Sequence, residues 1–131
     1  DRRIVKKIYE ARVFGNIKED NGFIDLPLIV DWPNRPLQKV DTKEGKCALT
    51  HWQVLNREGG VTRLELIPET GRTHQLRVHM MSLGHTILGD RFYGNIVEIN
   101  LANKLQLHAK HLMINHPKNG KKITFEAPLP F

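Results

Sequence analysis

Hydrophobic and polar positions along most of the chain recur with the period of two that marks a half-buried strand. From Lys6 to Phe14 the alternation puts Ile8, Glu10, Arg12 and Phe14 on one side and Lys7, Tyr9, Ala11 and Val13 on the other. The second set is the core-facing one, so Tyr9 is expected among small apolar neighbours, with its hydroxyl satisfied in the ordinary way of a core tyrosine. Gly15-Asn16 closes this strand, and Asn21-Gly22 reads as a second turn. Phe23 to Val30 reads as a short strand interrupted by Pro27. Cys47 to Asn56 and Val61 to Ile67 read as a hairpin across Arg57-Glu58-Gly59-Gly60, with Thr62, Leu64 and Leu66 on one face of its second strand.

The period changes once, after Pro68. Leu76, Met80 and Leu83 recur at helical spacing, Thr73 stands as N-cap, and Gly84 stands as the C′ stop. Beyond it, Ile87 to Gly94 is compact and turn-like, and Val97 to Lys104 suits a short irregular helix. Leu105 to Asn115 suits a strand, His116 to Gly120 a turn, and Lys122 to Phe125 a last strand. Strands outnumber helices and come as hairpins without βαβ spacing. The expected fold class is therefore α+β, with a mixed, largely antiparallel sheet and a few helices.

A chain of 131 residues is the size of one domain, and no apolar run reaches the roughly 20 residues that span a bilayer. The single cysteine, Cys47, excludes an internal disulfide framework and suits a reducing cytoplasm. The net charge of +6 makes a polyanion the first partner to consider. Residues 1–60 hold 11 basic and 9 acidic side chains, and residues 61–131 hold 9 and 5, so the excess is spread and forms no basic tail.

Several chemistries find no support. His108 and His111 fall on opposite faces of a strand-like run, His74 and His79 are five apart, and there is no His-Glu-x-x-His. No metal site is expected. A P-loop and a Gly-x-Gly-x-x-Gly are absent, and Ser82, the lone serine, sits within the helix pattern and outside any nucleophile elbow.

What remains is a polar crowd at one strand-to-helix corner, Thr70-Gly71-Arg72-Thr73-His74-Gln75-Leu76-Arg77. A helix start offers unpaired N–H groups and a positive dipole end to an anion, and a solvated amphipathic helix is the equal alternative. Arg77 lies one turn in, where a partly buried guanidinium needs a carboxylate or phosphate. Asp25, Asp31, Glu65 and Asp90 are acidic partners that only the fold can supply. In Asp31-Trp32-Pro33-Asn34-Arg35-Pro36, Trp32 and Arg35 are able to stack on a base or grip a phosphate. The preferred expectation there is a rigid surface loop with Trp32 as its hydrophobic plug.

Taken together, Leu64-Glu65-Leu66-Ile67-Pro68-Glu69-Thr70-Gly71-Arg72-Thr73-His74-Gln75-Leu76-Arg77-Val78-His79 and Gly84-His85-x-Ile87-Leu88-Gly89-Asp90 resemble the signature of RluA-type RNA pseudouridine synthases. Lys7-x-Tyr9-x-Ala11-Arg12-Val13-x-Gly15 is similar to their tyrosine motif. Leu107-His108-Ala109, His116-Pro117 and Phe125-x-Ala127-Pro128 are similar to their C-terminal motifs. Asp25-Leu26-Pro27-Leu28-Ile29 and Asp31 to Val40 resemble the branch that modifies both 23S ribosomal RNA and a tRNA anticodon stem-loop.

The resemblance implies a pseudouridine synthase catalytic fold, RNA as partner, no cofactor, no membrane and a monomeric whole enzyme. It implies that a target uridine is flipped into a pocket, with Tyr9 stacking on the uracil and helping the C5 proton leave. Arg77 is implied as partner of the catalytic aspartate, and Leu107 as packing against the tyrosine or base. Arg72, Thr73 and His74, with Trp32 and Arg35, are the implied RNA contacts. The family's aspartate belongs to a His-Arg-Leu-Asp segment upstream of the tyrosine motif; no segment here matches it, and Asp1, followed by Arg2-Arg3-Ile4, does not.

The expectation is accordingly the C-terminal part of one catalytic domain, residues 1–131, inactive by itself. Such a part is expected to expose apolar surface or an unpaired sheet edge and to self-associate. The rival readings are a non-catalytic RNA-binding module on the same scaffold, and a basic interaction domain with no RNA role.

Overall fold

The computed structural model describes residues 4–115 and 122–131. Six strands form one sheet in the order β2-β5-β6-β1-β7-β8, every neighbouring pair antiparallel. They are β1 (Ile4–Phe14), β2 (Asn21–Asp25), β5 (Leu49–Arg57), β6 (Val61–Pro68), β7 (Leu107–Asn115) and β8 (Lys122–Glu126). A separate two-stranded ribbon pairs β3 (Leu28–Val30) with β4 (Gln38–Val40). Helix α1 (Gln75–Leu83) lies against the sheet, and α2 (Ile96–Asn100) is a short helix with a capping box between Asn95 and Glu98. The α+β expectation holds. The turn expected at residues 116–120, the His116-Pro117 motif and Asp1 lie outside the described residues.

The period-two alternation sorts residues as it should. Thr62, Leu64 and Leu66 of β6 and Ala11 and Val13 of β1 are fully buried. They meet Ile24, Trp52, Leu76 and Met80 in one core closed from above by α1 and by Ile87 of the loop that follows it. Across the sheet, Glu10 holds Arg63 at 2.8 Å and Lys110 at 2.9 Å, and Lys110 reaches Glu65 at 2.6 Å. Burial raises the Glu10 carboxyl, but hydrogen bonds and charge from Arg63 and Lys110 outweigh it and hold the pKa below the usual range.

Four local expectations are corrected. Asn21-Gly22 opens β2 and is no turn; the bend lies at Glu19 and Asp20. Gly22 is there for the Trp52 ring, which a Cβ would meet at 2.6 Å. The strand expected over Phe23 to Val30 is two strands in two sheets. Pro27 has no N–H for a ladder, and on either side Leu26 and Leu28 donate outward to Ala48 and Lys46.

Trp32, in a 3-10 turn over Trp32–Asn34, is 66% exposed and therefore plugs nothing. Its ring is instead capped by Arg35, whose guanidinium carbon stands 4.3 Å from the ring centroid. Lastly, the N-cap of α1 is His74, in the left-handed region at φ 54°, and not Thr73. Gly84 does end α1 in the left-handed conformation, while Leu83 is 38% exposed and no part of the buried core.

Truncating Leu64 to alanine removes a fully buried side chain at the centre of the sheet. Chemical denaturation is expected to show a loss of about 2–5 kcal/mol. The same change at Leu55, 44% exposed on β5, is expected to stay within about 0.5 kcal/mol of the parent.

Candidate active site

The corner after β6 is built by one glutamine. Gln75 Oε1 accepts from the Thr70 hydroxyl at 2.7 Å and from the Arg72 N–H at 3.1 Å. Its Nε2 donates to the Leu49 carbonyl and to Thr50 Oγ1, both at 3.0 Å. The side chain thus fastens the turn, the helix start and β5 together, which is why no Thr73 cap is needed. The chain of bonds continues inward. His79 Nε2 donates to the Leu26 carbonyl at 2.9 Å, so its Nδ1 accepts the Thr50 hydroxyl proton at 2.8 Å. Neutral His79, donating from Nε2 and accepting at Nδ1, satisfies every group in this run. Burial holds its pKa below the ordinary histidine value, against the opposing pull of the Leu26 carbonyl.

Arg77, in the first turn of α1, has its carboxylate. Its Nε and NH2 bond both oxygens of Asp90, at 3.0 and 2.6 Å. Asp90 is fully buried and also accepts the backbone N–H groups of Phe92 and Tyr93. Two rings flank the guanidinium, Phe92 at 4.8 Å and Tyr93 at 5.5 Å. The Arg77 fork is thus held on a fixed bearing. Among the described residues its NH1 has no hydrogen-bond partner.

Tyr93 extends the cluster. Its hydroxyl oxygen accepts from Gln38 N–H of β4 at 2.9 Å, and the same hydroxyl is hydrogen-bonded to His74 Nδ1 at 2.7 Å. Burial first, and the Arg77 charge second, hold the His74 pKa low, with Asp90 opposing.

In front of this cluster opens a cleft of about 360 Å³. Tyr9 of β1 and Leu107 at the start of β7 line one side, and Arg72, His74 and Arg77 at the entrance to α1 line the other. The residues expected in the site thus divide. Tyr9, Arg72, His74, Arg77 and Leu107 share the cleft; Thr73 faces a neighbouring groove, and Trp32 and Arg35 stand apart beyond the β3–β4 ribbon.

Tyr9 is half-buried, and its hydroxyl has no hydrogen bond among the described residues, unlike the satisfied core tyrosine that alternation alone suggests. The resemblance pointed Arg77 at an aspartate outside this chain; within it, Asp90 is the partner. Sequence reasoning also passed over Lys7, which lines the same cleft, and Gln75 and Tyr93, whose roles depend on contacts made across the fold. Among the described residues no group of three or more histidine, cysteine, aspartate or glutamate side chains is placed to hold a metal ion. No helix there is long and apolar enough to cross a membrane.

Comparison with known proteins gives the family. The family model described as RNA pseudouridylate synthase matches residues 1–82, more than half of the chain. The chain belongs to the RNA pseudouridylate synthase family. It is 53% identical over 127 residues to the dual-specificity RNA pseudouridine synthase RluA of Yersinia pestis, covering 96% of this chain and 62% of that protein. Against the RluA of Escherichia coli K12 it is 52% identical, with 96% and 58% covered. Among solved structures, human RNA pseudouridylate synthase domain containing 1 superposes with a TM-score of 0.84 at 31% identity, over 99% of this chain and 56% of that one. The chain therefore spans about three fifths of the length of the RluA proteins it matches. Tyr9, Arg72, His74 and Arg77 all lie inside the span matched by the family model, and Leu107 lies outside it.

Two outcomes test this cluster. Asp90→Ala leaves the Arg77 guanidinium partly buried without its carboxylate, and a loss of about 3–5 kcal/mol is expected in denaturant titration. The second concerns pH. Neutral His79 and His74 have folded pKa values below the unfolded value of about 6.5, so the unfolded chain binds more protons as pH falls. Stability is expected to be full above pH 6.5 and to decline as pH drops through that value, with a shallower decline in His79→Gln. An identical slope in the variant would remove His79 from this account.

Proposed function

We propose that the whole protein isomerises uridine to pseudouridine in RNA, and that this chain supplies the side of the active site that holds the base. The observation that carries the reading is the cleft itself: an unbonded tyrosine and a leucine facing Arg72 and Arg77, with Lys7 beside the tyrosine, in a space fit for a flipped base. In the proposed reaction the N1–C1′ bond breaks, the uracil turns, and a C5–C1′ bond forms. The C5 proton is lost and N1 regains one, so atoms balance without oxidant or reductant. Tyr9 stacks on the uracil and assists departure of the C5 proton. Leu107 packs beside it.

The nucleophilic aspartate that starts the reaction matches no residue of this chain. Arg77, held by Asp90 through Nε and NH2, has NH1 to offer to that carboxylate. Arg72 and His74 hold the RNA backbone, with Thr73 beside them, and Trp32 with Arg35 forms a second platform where a base stacks on the open face of the indole. The two matched RluA proteins carry dual specificity in their names, and the proposed substrates follow that division: 23S ribosomal RNA and a tRNA anticodon stem-loop.

The test is pseudouridine formation by the whole protein on those two RNAs, beside RNA binding by filter retention. Tyr9→Phe is expected to bind RNA within about threefold of the parent and to turn over 10²–10⁴-fold more slowly, the usual worth of a positioned proton-transfer group. The 131-residue chain alone is expected to bind without turnover. Binding by the whole protein with no pseudouridine in either RNA would favour a non-catalytic binding module instead.

A further inference from the structure

Gly71 and Arg72 form a wall with a space on each side. One is the cleft of Tyr9 and Arg77; the other is a groove of about 450 Å³ between the β3–β4 ribbon and the entrance to α1. The groove has a mixed character. Leu28, Ile29 and Val30 of β3 give it an apolar side, while Gln38, Glu44 and Lys46 give it a polar rim.

The wall is narrow and firm. Arg72 is fastened at both ends, its N–H to Gln75 Oε1 and its Nε to the Cys47 carbonyl at 2.8 Å, so the guanidinium stands at a set place on the crest. At Gly71 a Cβ would meet only Lys7 Nζ, at 4.0 Å, which leaves the crest low. The ribbon side is fixed as well, because the Tyr93 hydroxyl accepts from Gln38 N–H on β4 while bonded to His74 at the cleft.

Two adjoining spaces of about 360 and 450 Å³, with a cation on the crest they share, suit two consecutive nucleotides. A chain that inserts one base into the cleft must carry its next phosphate over the wall, where Arg72 waits, and its next base then comes down on the far side. Lys46 supplies a second cation near that path. The apolar side from β3 suits the face of a base, and Glu44, an acceptor only, suits N–H groups on a base edge and is unsuited to phosphate.

The geometry points to the groove of Ile29, Gln38, Glu44 and Lys46 as a binding site for the base of the nucleotide adjacent to the flipped uridine in single-stranded RNA, with Arg72 on the phosphate between the two. This inference rests on the proposed function and deepens it, since it assigns a specificity-determining role to the β3–β4 ribbon. A site reading two neighbouring bases discriminates loops that share a uridine but differ beside it.

The test uses the whole protein and a fluorescently labelled stem-loop RNA, followed by anisotropy at fixed salt. Abasic riboses are placed at the target position or at either neighbour. Loss of one neighbouring base is expected to weaken binding about tenfold, in keeping with the worth of a stacked base. Ile29→Trp, which fills the groove, is expected to abolish that sensitivity while the penalty for an abasic target remains. Lys46→Ala changes an exposed side chain, keeps the fold, and is expected to reduce the neighbour's contribution severalfold. Indifference to both neighbours together with a clear penalty at the target would overturn this inference and leave the proposed function standing. Indifference at the target as well would overturn both. Unchanged neighbour sensitivity in both variants would place the second base elsewhere and overturn the groove assignment.

Discussion

The candidate site depends first on the buried pairing of Arg77 with Asp90. A fully buried carboxylate is tolerable only when its oxygens are filled, and Asp90 takes two bonds from the guanidinium and two from backbone N–H groups. The consequence reaches both partners. The loop after α1 is drawn in beneath the helix, which brings Phe92 and Tyr93 against Arg77, and the arginine is left with a single bearing into the cleft. Tyr93 then couples His74 to the ribbon through Gln38. One ion pair thus sets the relative positions of the helix entrance, the following loop and the ribbon.

A second constraint works from the other side. Gln75, Thr50 and His79 form a run of hydrogen bonds anchored at both ends, on the carbonyls of Leu49 and Leu26. The run locks β5 to α1 and shapes the wall of Gly71 and Arg72. The sheet contributes a floor. Because β1 alternates, Tyr9 lies on the same side as buried Ala11 and Val13, and β7 beside it delivers Leu107. The cleft is where these two constraints meet the edge of the core.

How much of this was legible in the sequence follows from how local each feature is. The β5–β6 hairpin was readable because Gly59 and Gly60 and the alternation of Thr62, Leu64 and Leu66 are local signals. Gly84 was readable as a helix stop for the same reason. Thr73 has the local features of an N-cap, but the group that organises the turn is Gln75, which acts through Thr50 and Leu49, more than 20 residues away. Trp32 is expected as a plug because an indole is large and apolar, yet its exposure depends on what the fold places beside it, and Arg35 caps the ring while leaving it 66% exposed. Asp90 was one of four acidic candidates for Arg77, and only the turn after Gly89 chooses it. Residues of the motifs line one cleft, whereas the groove beside it depends on the ribbon's placement, which no local pattern encodes.

The central claim is that the face of Tyr9, Leu107 and Arg77 receives the target base. The most direct measurement is photo-crosslinking of the whole protein to a stem-loop RNA carrying 4-thiouridine at the target position, with the attached peptide identified by mass spectrometry. The account predicts attachment to peptides containing Tyr9 or Leu107, suppressed by an excess of unmodified RNA. Attachment confined to the opposite face of the sheet, around Arg63 and Lys110, would contradict it.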